Sequence, residues 1–221
     1  MNKKNYLLDL NNSKKPFIIY KSDKGFDLYT DFSKKIILNN NNFEKFINKN
    51  TKLKSIRKET DLFIGFFGYE ILNNLIDVKI KKQKTINFPK GIFYKPETKI
   101  KLPNNLEYKK TRSLNSNDLF KININKKSYK VIFDKFKKKI KSGETYQIKI
   151  CTKYSNKSEI DALDFFSRLV KSNMAPEAFM IKDKDYSIIS CSPENLITKK
   201  NNFITTKPIA GTLKKNKKLN K

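Results

Sequence analysis

Apolar and polar residues alternate in several parts of the chain, a spacing that places every second side chain on one face of a strand. Between residues 6 and 38 the runs 17–20 and 25–29 are separated by polar turn residues, and they predict a small antiparallel meander. The stretch 145–154 alternates throughout and predicts another strand. After residue 176 the same signal predicts successive strands at 177–181, 186–191, 195–198 and 203–206.

Helical spacing replaces the alternation in two longer segments. The first ends before Gly143, a residue suited to the position just past a last helical turn. Its apolar face consists of Tyr129, Ile132, Phe133, Phe136 and Ile140. The second follows Ser158, a favourable cap, and its apolar face consists of Ile160, Leu163, Phe166, Leu169 and Val170. A short helix is also predicted at 43–47, and the stretch 62–72 predicts a strand or tight turn that enters a helix.

The order of these elements predicts an α+β fold with antiparallel sheets packed with helices. Periodicity is lost in the connector 102–127, where prolines, asparagines and mixed charges accumulate. We therefore expect a β-rich N-terminal subdomain at 1–101 and a second subdomain at 128–221.

Charge is the most unusual feature of the composition. The chain has 221 residues, with 49 Lys and Arg against 21 Asp and Glu, and a net charge of +28. Such a charge favours phosphate binding when it is clustered, but only Arg57, Arg112 and Arg168 are arginines, the residue best suited to bidentate recognition. The lysines are scattered and accompany an excess of Asn and Ile, as in AT-rich genomes. We expect no nucleic-acid partner, and a non-catalytic basic binding protein is the alternative of another class.

Residue types that are missing exclude several kinds of chemistry. Histidine is absent, which excludes Ser-His-Asp and Cys-His nucleophiles and zinc sites that contain histidine. Cys151 and Cys191 are too few for a disulfide scaffold, so a reduced cytoplasmic location is expected. No apolar run reaches the length needed to span a bilayer, so no membrane association is expected.

Three polar features are candidates for chemistry. Glu194 lies in a Ser-Pro-Glu turn after a predicted strand, the loop 207–212 contains small residues that allow close approach to an anion, and Gln147 lies on the polar face of strand 145–154. Each one alone also fits an ordinary turn, loop or exposed strand position. Their spacing by itself therefore does not name a function.

Four segments, taken in order, resemble the chorismate-utilising enzymes, and among them anthranilate synthase component I and aminodeoxychorismate synthase component I. They read Lys-Ser-Gly-Glu-Thr-Tyr-Gln-Ile at 141–148, Asn-Met-Ala-Pro-Glu-Ala-Phe at 173–179, Ser-Pro-Glu-Asn-Leu at 192–196 and Thr-Lys-Pro-Ile-Ala-Gly-Thr at 206–212. The last two segments are the specific part of the match. The segment 65–70 is similar to a glycine-rich segment of the family, and residues 6–9 resemble its N-terminal strand.

The resemblance implies a reaction and assigns roles to individual residues. Family members bind chorismate with Mg²⁺ and add ammonia, and in the anthranilate branch they eliminate pyruvate. By the match, Glu194 is the general acid that protonates the leaving hydroxyl, while Gly211 and Thr212 bind a substrate carboxylate. Gln147 favours amination, because members that add water carry a lysine there.

Other positions bear on the choice between the two aminating branches. Ala210, also in the substrate-binding segment, resembles the anthranilate pattern, whereas Ala175 with Pro176 is closer to the aminodeoxychorismate pattern. Leu10 stands where members sensitive to tryptophan usually have serine. We expect anthranilate synthase component I of tryptophan biosynthesis, with aminodeoxychorismate synthase component I of folate biosynthesis as the alternative.

The resemblance covers only the first half, or somewhat more, of a family member. The two glutamates that bind Mg²⁺ in the family lie beyond the matched part, so no metal ligand is expected among these residues. We therefore expect the chain to be an incomplete fragment that is inactive alone and poorly stable in isolation. A glutamine amidotransferase subunit is expected to supply the ammonia.

Overall fold

The computed structural model describes residues 3–22, 24–51, 58–74, 76, 88–106, 108, 120–157, 160–200 and 202–209. Contacts group the chain into two compact units, one formed by Met1–Lys109 with Ala162–Lys221 and the other by Lys110–Asp161. The predicted α+β class with antiparallel sheets is confirmed. The subdomain limits expected at 101 and 127 follow composition along the chain and stay a prediction.

The helices and strands are numbered in chain order. The helices are α1 (Lys3–Asn12), α2 (Phe43–Thr51), α3 (Lys126–Lys141) and α4 (Ala162–Asn173), and a 3-10 helix spans Tyr69–Asn74. The strands of the first unit are β1 (Phe17–Ser22), β2 (Gly25–Ile37), β3 (Ile64–Phe67), β4 (Gly91–Leu102), β7 (Glu177–Lys182), β8 (Ser187–Ser192), β9 (Thr198–Lys200) and β10 (Phe203–Thr205). In the second unit β5 (Lys121–Ile122) pairs with β6 (Tyr154–Ser155).

A six-stranded antiparallel sheet in the order β3-β4-β2-β1-β7-β8 forms the centre of the first unit. Ile18 of β1 lies opposite Tyr29 on one side and Ile181 on the other. The predicted meander and the predicted strands at 177–181 and 186–191 are therefore confirmed, and they belong to one sheet. β9 and β10 form a separate hairpin. The strand predicted at 195–198 is wrong for residues 195–197, because the chain there forms the loop between β8 and β9.

The two faces of the sheet carry different clusters of apolar side chains. One face packs against α1 and α4, and its cluster includes Phe17, Ile19 and Met180. Phe26 meets Phe166 of α4 edge-on at a centroid distance of 6.0 Å. The cluster on the other face is formed by Ile18, Tyr29, Ile92, Tyr94 and Ile181. Side chains alternate between the faces, as the pattern of a strand requires.

A β-bulge in β2 changes which side chains face the helices. The register against β4 shifts between Phe32 and Lys34, next to Asp31 with a φ of +52°. Before the bulge Phe26 and Leu28 point to the helical face, whereas Phe32, also an even-numbered position, contacts the opposite cluster. The exchange of faces therefore occurs between Tyr29 and Phe32, at Asp31, directly before the register shift.

The N-terminal strand suggested by residues 6–9 is wrong, because these residues lie in α1. Leu7, Leu10 and Asn11 have helical spacing and are all buried. The Asn11 side-chain amide donates to the Tyr108 hydroxyl at 3.1 Å. A short helix with one buried side covers the sheet more completely here than an additional edge strand.

In the second unit the predicted amphipathic helix is confirmed as α3. Asn125 caps it by accepting the Ser128 N–H at 2.9 Å, and Gly143 follows the helix with a φ of +78°. The strand predicted at 145–154 is wrong for residues 145–153, where the described backbone has no regular structure. Alternation alone does not form a strand, because backbone donors and acceptors need a neighbouring strand.

Candidate functional site

Glu194 lies in the turn that follows β8, and Ser192 fixes the backbone of that turn. The Ser192 hydroxyl donates to the Glu194 carbonyl at 2.7 Å, and the Glu194 N–H donates to the Ser192 hydroxyl oxygen at 3.3 Å. Pro193 between them restricts the backbone further. The Ser-Pro-Glu sequence therefore defines the direction in which the Glu194 side chain leaves the sheet.

The carboxylate of Glu194 contacts the segment that follows β10. Its Oε1 accepts the Ile209 N–H at 3.1 Å. The structure thus brings the Ser-Pro-Glu turn and the Thr-Lys-Pro-Ile segment into direct contact, although 15 residues separate the two bonded positions. Both side chains are exposed to solvent.

A cavity of about 430 Å³ lies beside this contact. Its polar lining is formed by Glu177, Glu194, Asn195, Thr198, Thr205 and Lys207. The lining therefore combines two carboxylates with an ammonium group, an amide and two hydroxyls. A small ligand that carries both anionic and hydroxyl groups fits this mixture of donors and acceptors, and the volume is typical of small-molecule sites.

Glu177, the first residue of β7, belongs to this cavity and was not assigned a role from the sequence. Its Oε2 accepts the Tyr20 hydroxyl at 2.6 Å, and its Oε1 accepts the Asn195 side-chain amide at 3.2 Å. Burial, together with the hydrogen bond to Glu177, raises the pKa of Tyr20 well above its ordinary value. The one hint in the sequence is that Glu177 stands beside Pro176 within the second matched segment, 173–179.

The other predicted site residues lie elsewhere or outside the described residues. Gln147 belongs to the second unit, where it is exposed and its carbonyl accepts the Thr145 hydroxyl at 3.1 Å. Ala210, Gly211 and Thr212 lie outside the described residues. The roles predicted for these four residues stay predictions.

The described residues contain no group of three or more His, Cys, Asp or Glu side chains placed to hold a metal ion. We assign no reaction step to Mg²⁺. Among the described helices, none has both the length and the apolar composition to cross a bilayer.

Comparison with known proteins gives a match over almost the whole chain. The family model described as chorismate binding enzyme matches residues 3–221. Anthranilate synthase component 1 from Buchnera aphidicola subsp. Pemphigus spyrothecae is 28% identical over 176 residues, which are 78% of this chain and 34% of that protein. Aminodeoxychorismate synthase component 1 from Salmonella typhimurium is 38% identical over 72 residues, 33% of this chain and 16% of that protein.

A third relative is the anthranilate synthase component I-like protein from Synechocystis sp., which is 24% identical over 182 residues. That match covers 71% of this chain and 38% of the relative. The chain therefore spans only about a third of the length of the relatives that it matches most extensively.

Proposed function

The chain belongs to the family of chorismate-binding enzymes, and from that premise we propose that it serves the amination of chorismate as part of an anthranilate synthase component I. The reaction converts chorismate and ammonia to anthranilate, pyruvate and water. The observation that carries the proposal is the contact of Glu194 with Ile209 beside a polar cavity. It joins the two segments whose sequence matches the family most specifically.

Glu194 is the proposed general acid. Ammonia forms a carbon–nitrogen bond to the ring, the bond to the ring hydroxyl breaks, and that hydroxyl leaves as water with the proton of Glu194. In the anthranilate branch the ether bond between the ring and the enolpyruvyl group then breaks while the ring loses a proton and becomes aromatic, and the departing enolpyruvyl group takes up a proton to form pyruvate. A carboxyl group can donate this proton near neutral pH only if it is still protonated, and exclusion of water from around it favours the protonated form. The exposed position of Glu194 means that substrate or further protein must cover the cavity during turnover.

The segment 206–212 is proposed to bind a carboxylate of chorismate. Lys207 already contributes an ammonium group to the cavity lining, and Gly211 and Thr212 follow it closely in the sequence. Backbone N–H groups at a glycine and a threonine hydroxyl are suitable donors to a carboxylate. Ala210 accords with the sequence pattern of the anthranilate branch.

The remaining features of the proposal rest on the family match. Gln147 is proposed to accompany the use of ammonia, a glutamine amidotransferase subunit to deliver it, and Mg²⁺ to be the cofactor. The described residues supply no ligand set for Mg²⁺, so its binding site is not part of this proposal. A cytoplasmic location is also proposed, because chorismate chemistry serves biosynthesis inside the cell.

A second candidate is aminodeoxychorismate synthase component I. It is favoured by the Salmonella typhimurium relative, which has the higher identity over a shorter match. This reaction also replaces the ring hydroxyl by an amine, but it places the nitrogen on a different ring carbon and retains the enolpyruvyl group. Release of pyruvate therefore distinguishes the two candidates.

The test uses the complete product of the reading frame with chorismate, Mg²⁺ and ammonium chloride, followed by anthranilate fluorescence and a coupled pyruvate assay. Equal amounts of anthranilate and pyruvate are expected. Glu194→Gln is expected to lower kcat by roughly 10²-fold or more, while Glu97→Gln, an exposed carboxylate on β4, should leave it unchanged. Amination without pyruvate would favour the second candidate.

Failure to bind or convert chorismate would contradict both enzyme candidates. Binding of RNA instead, with an affinity that falls steeply as salt increases, would favour the basic binding protein. Chorismate held in a covered pocket should respond much less to ionic strength.

A further inference from the structure

Three side chains connect β1 to the turn that carries Glu194. The Tyr20 hydroxyl donates to Glu177 at 2.6 Å, and the Asn195 side-chain amide donates to the other oxygen of Glu177 at 3.2 Å. Asn195 is the residue directly after Glu194. We propose that Glu177 is a positioning residue, which holds Glu194 at the cavity through Asn195; this inference rests on the function proposed above.

The register of the sheet explains why Glu177 reaches both partners. Tyr20 lies opposite Phe179, two residues from Glu177 on the same face of β7. On the other side Glu177 lies opposite Ser192, whose hydroxyl fixes the backbone of Glu194. Glu177 therefore acts on the turn in two ways, through strand pairing with Ser192 and through its side chain with Asn195.

The β1 end of this connection is firmly attached to the segment before β7. Lys21, next to Tyr20, donates its ammonium group to the Ala175 carbonyl. Two successive residues of β1 thus bind two positions of the segment 175–177. Because β1 is an interior strand of the sheet, the Glu177 carboxylate is held from a rigid element, as positioning of a reactive group requires.

The charge on Glu177 is not itself needed for positioning. A carboxylate strengthens both hydrogen bonds, but a glutamine in its place can still accept from Asn195 with its oxygen while its NH₂ group faces Tyr20. An alanine removes both contacts. Glu177→Gln and Glu177→Ala therefore separate the effect of the charge from the effect of the connection.

The first measurement is the amide-proton shift of Ile209 by NMR as the pH is varied. This proton is donated to Glu194, so its shift follows the ionisation of that carboxyl group. In Glu177→Ala the amplitude should fall to less than about half of the wild-type value, because the hydrogen bond depends steeply on geometry. Glu177→Gln and the control Glu97→Ala should retain the wild-type amplitude.

The second measurement is the ultraviolet titration of Tyr20, taken as wild type minus Tyr20→Phe. The groups that raise its pKa besides burial are Glu177 on β7 and Tyr29 on β2. Both Glu177 variants should lower this pKa, because both remove the negative charge. Thus the tyrosine titration responds to the charge of residue 177, whereas the amplitude of the Ile209 shift responds to the position of the Glu194 carboxyl group.

Asn195→Ala provides a variant that leaves β7 intact. It should reduce the Ile209 amplitude as Glu177→Ala does and leave the Tyr20 titration unchanged. In the complete enzyme Glu177→Ala and Asn195→Ala should each lower kcat by roughly tenfold with little change in KM, because orientation is lost and binding is not. Glu177→Gln should keep most of the wild-type kcat.

An Ile209 amplitude that stays at the wild-type value in Glu177→Ala and Asn195→Ala would overturn the inference, whatever the activity. If instead both variants reduce the amplitude while Glu194→Gln keeps full activity, the positioning stands and the proposed acid is wrong. The two failures are therefore distinguishable.

Discussion

Asp183 is a buried carboxylate of the sheet, with 6% of its surface exposed. It lies in the β7–β8 turn and accepts hydrogen bonds from Lys35 of β2 and Tyr94 of β4. Its second oxygen accepts the Lys184 N–H at 2.7 Å. One side chain thus connects three parts of the sheet at the end opposite to Glu177 and Ser192.

We expect Asp183→Asn to lower the free energy of unfolding by about 1–3 kcal/mol, the cost of leaving buried polar groups without charged partners. Lys35 is 42% exposed and can be hydrated, which keeps the loss below that of a fully buried pair. Urea denaturation measures the effect. Asp185→Asn, an exposed residue of the same turn, is the control, and an equal loss in both variants would contradict the assignment.

The same residue predicts an acid dependence of stability. Burial raises the pKa of Asp183, but the hydrogen bonds from Lys35 and Tyr94 lower it by more, so that it lies below the ordinary value of 3.8. A lowered folded-state pKa stabilises the protein above the unfolded value and ceases to do so as the pH falls through the folded value. The stability difference between wild type and Asp183→Asn should therefore be constant from pH 7 to 5 and shrink below pH 3.8. A difference independent of pH would exclude the charge as its cause.

Among the helices, α4 covers the sheet with one strongly apolar side. Leu163 and Phe166 are fully buried on this side, whereas the neighbouring Phe165 is 37% exposed. Adjacent phenylalanines on one helix therefore have opposite environments. This contrast follows from the helical period, which turns successive side chains by about 100°.

Phe166→Ala is expected to destabilise the protein by about 3–5 kcal/mol, because it removes a buried aromatic side chain and leaves a cavity against Phe26. Phe165→Ala is the matched control and should cost less than about 1 kcal/mol. Thermal or urea unfolding, followed by circular dichroism, compares the two. Similar losses in the two variants would show that α4 does not pack in this orientation.

Most elements with a periodic face could be predicted from the sequence, although the alternating stretch 145–153 forms no strand. Elements that depend on distant neighbours could not be predicted. The central strand β4 was missed because Pro96 interrupts it, a residue tolerated only since it lies opposite Phe32 at the bulge of β2. Gly65 is explained by the pairing of β3 with β4, because a Cβ there would lie 1.9 Å from the Ile92 carbonyl oxygen. Neither relation is visible in the local sequence.

In the candidate site, too, the residue in a local motif could be predicted and the residue that depends on a distant partner could not. Glu194 was identified because its Ser-Pro-Glu turn is local and matches a family segment. Glu177 was missed because its importance comes from Tyr20, which is 157 positions earlier in the chain. A glutamate at the start of an alternating strand is expected to face solvent, and only the strand order shows that this one faces two donors.

At the scale of the whole molecule, the net charge of +28 acts on every element. Like charges repel in the compact state more than in the unfolded chain, and dissolved salt screens that repulsion. We expect the free energy of unfolding to rise as sodium chloride increases from about 20 to 300 mM, across which the screening length falls severalfold. Sodium sulfate at equal ionic strength distinguishes screening from specific anion binding, and a stability that falls with salt would contradict the expectation.

The position of β1 between β2 and β7 has a consequence for synthesis. β2 follows β1 immediately, whereas Tyr20 and its partner Glu177 are 157 residues apart. At about 5–20 residues per second, a ribosome needs roughly 10–30 s to synthesise the residues between them. Throughout this interval one edge of a strand that begins Phe-Ile-Ile has no partner. We therefore expect the nascent chain to be prone to aggregation during this interval, and a faster translation rate to shorten it.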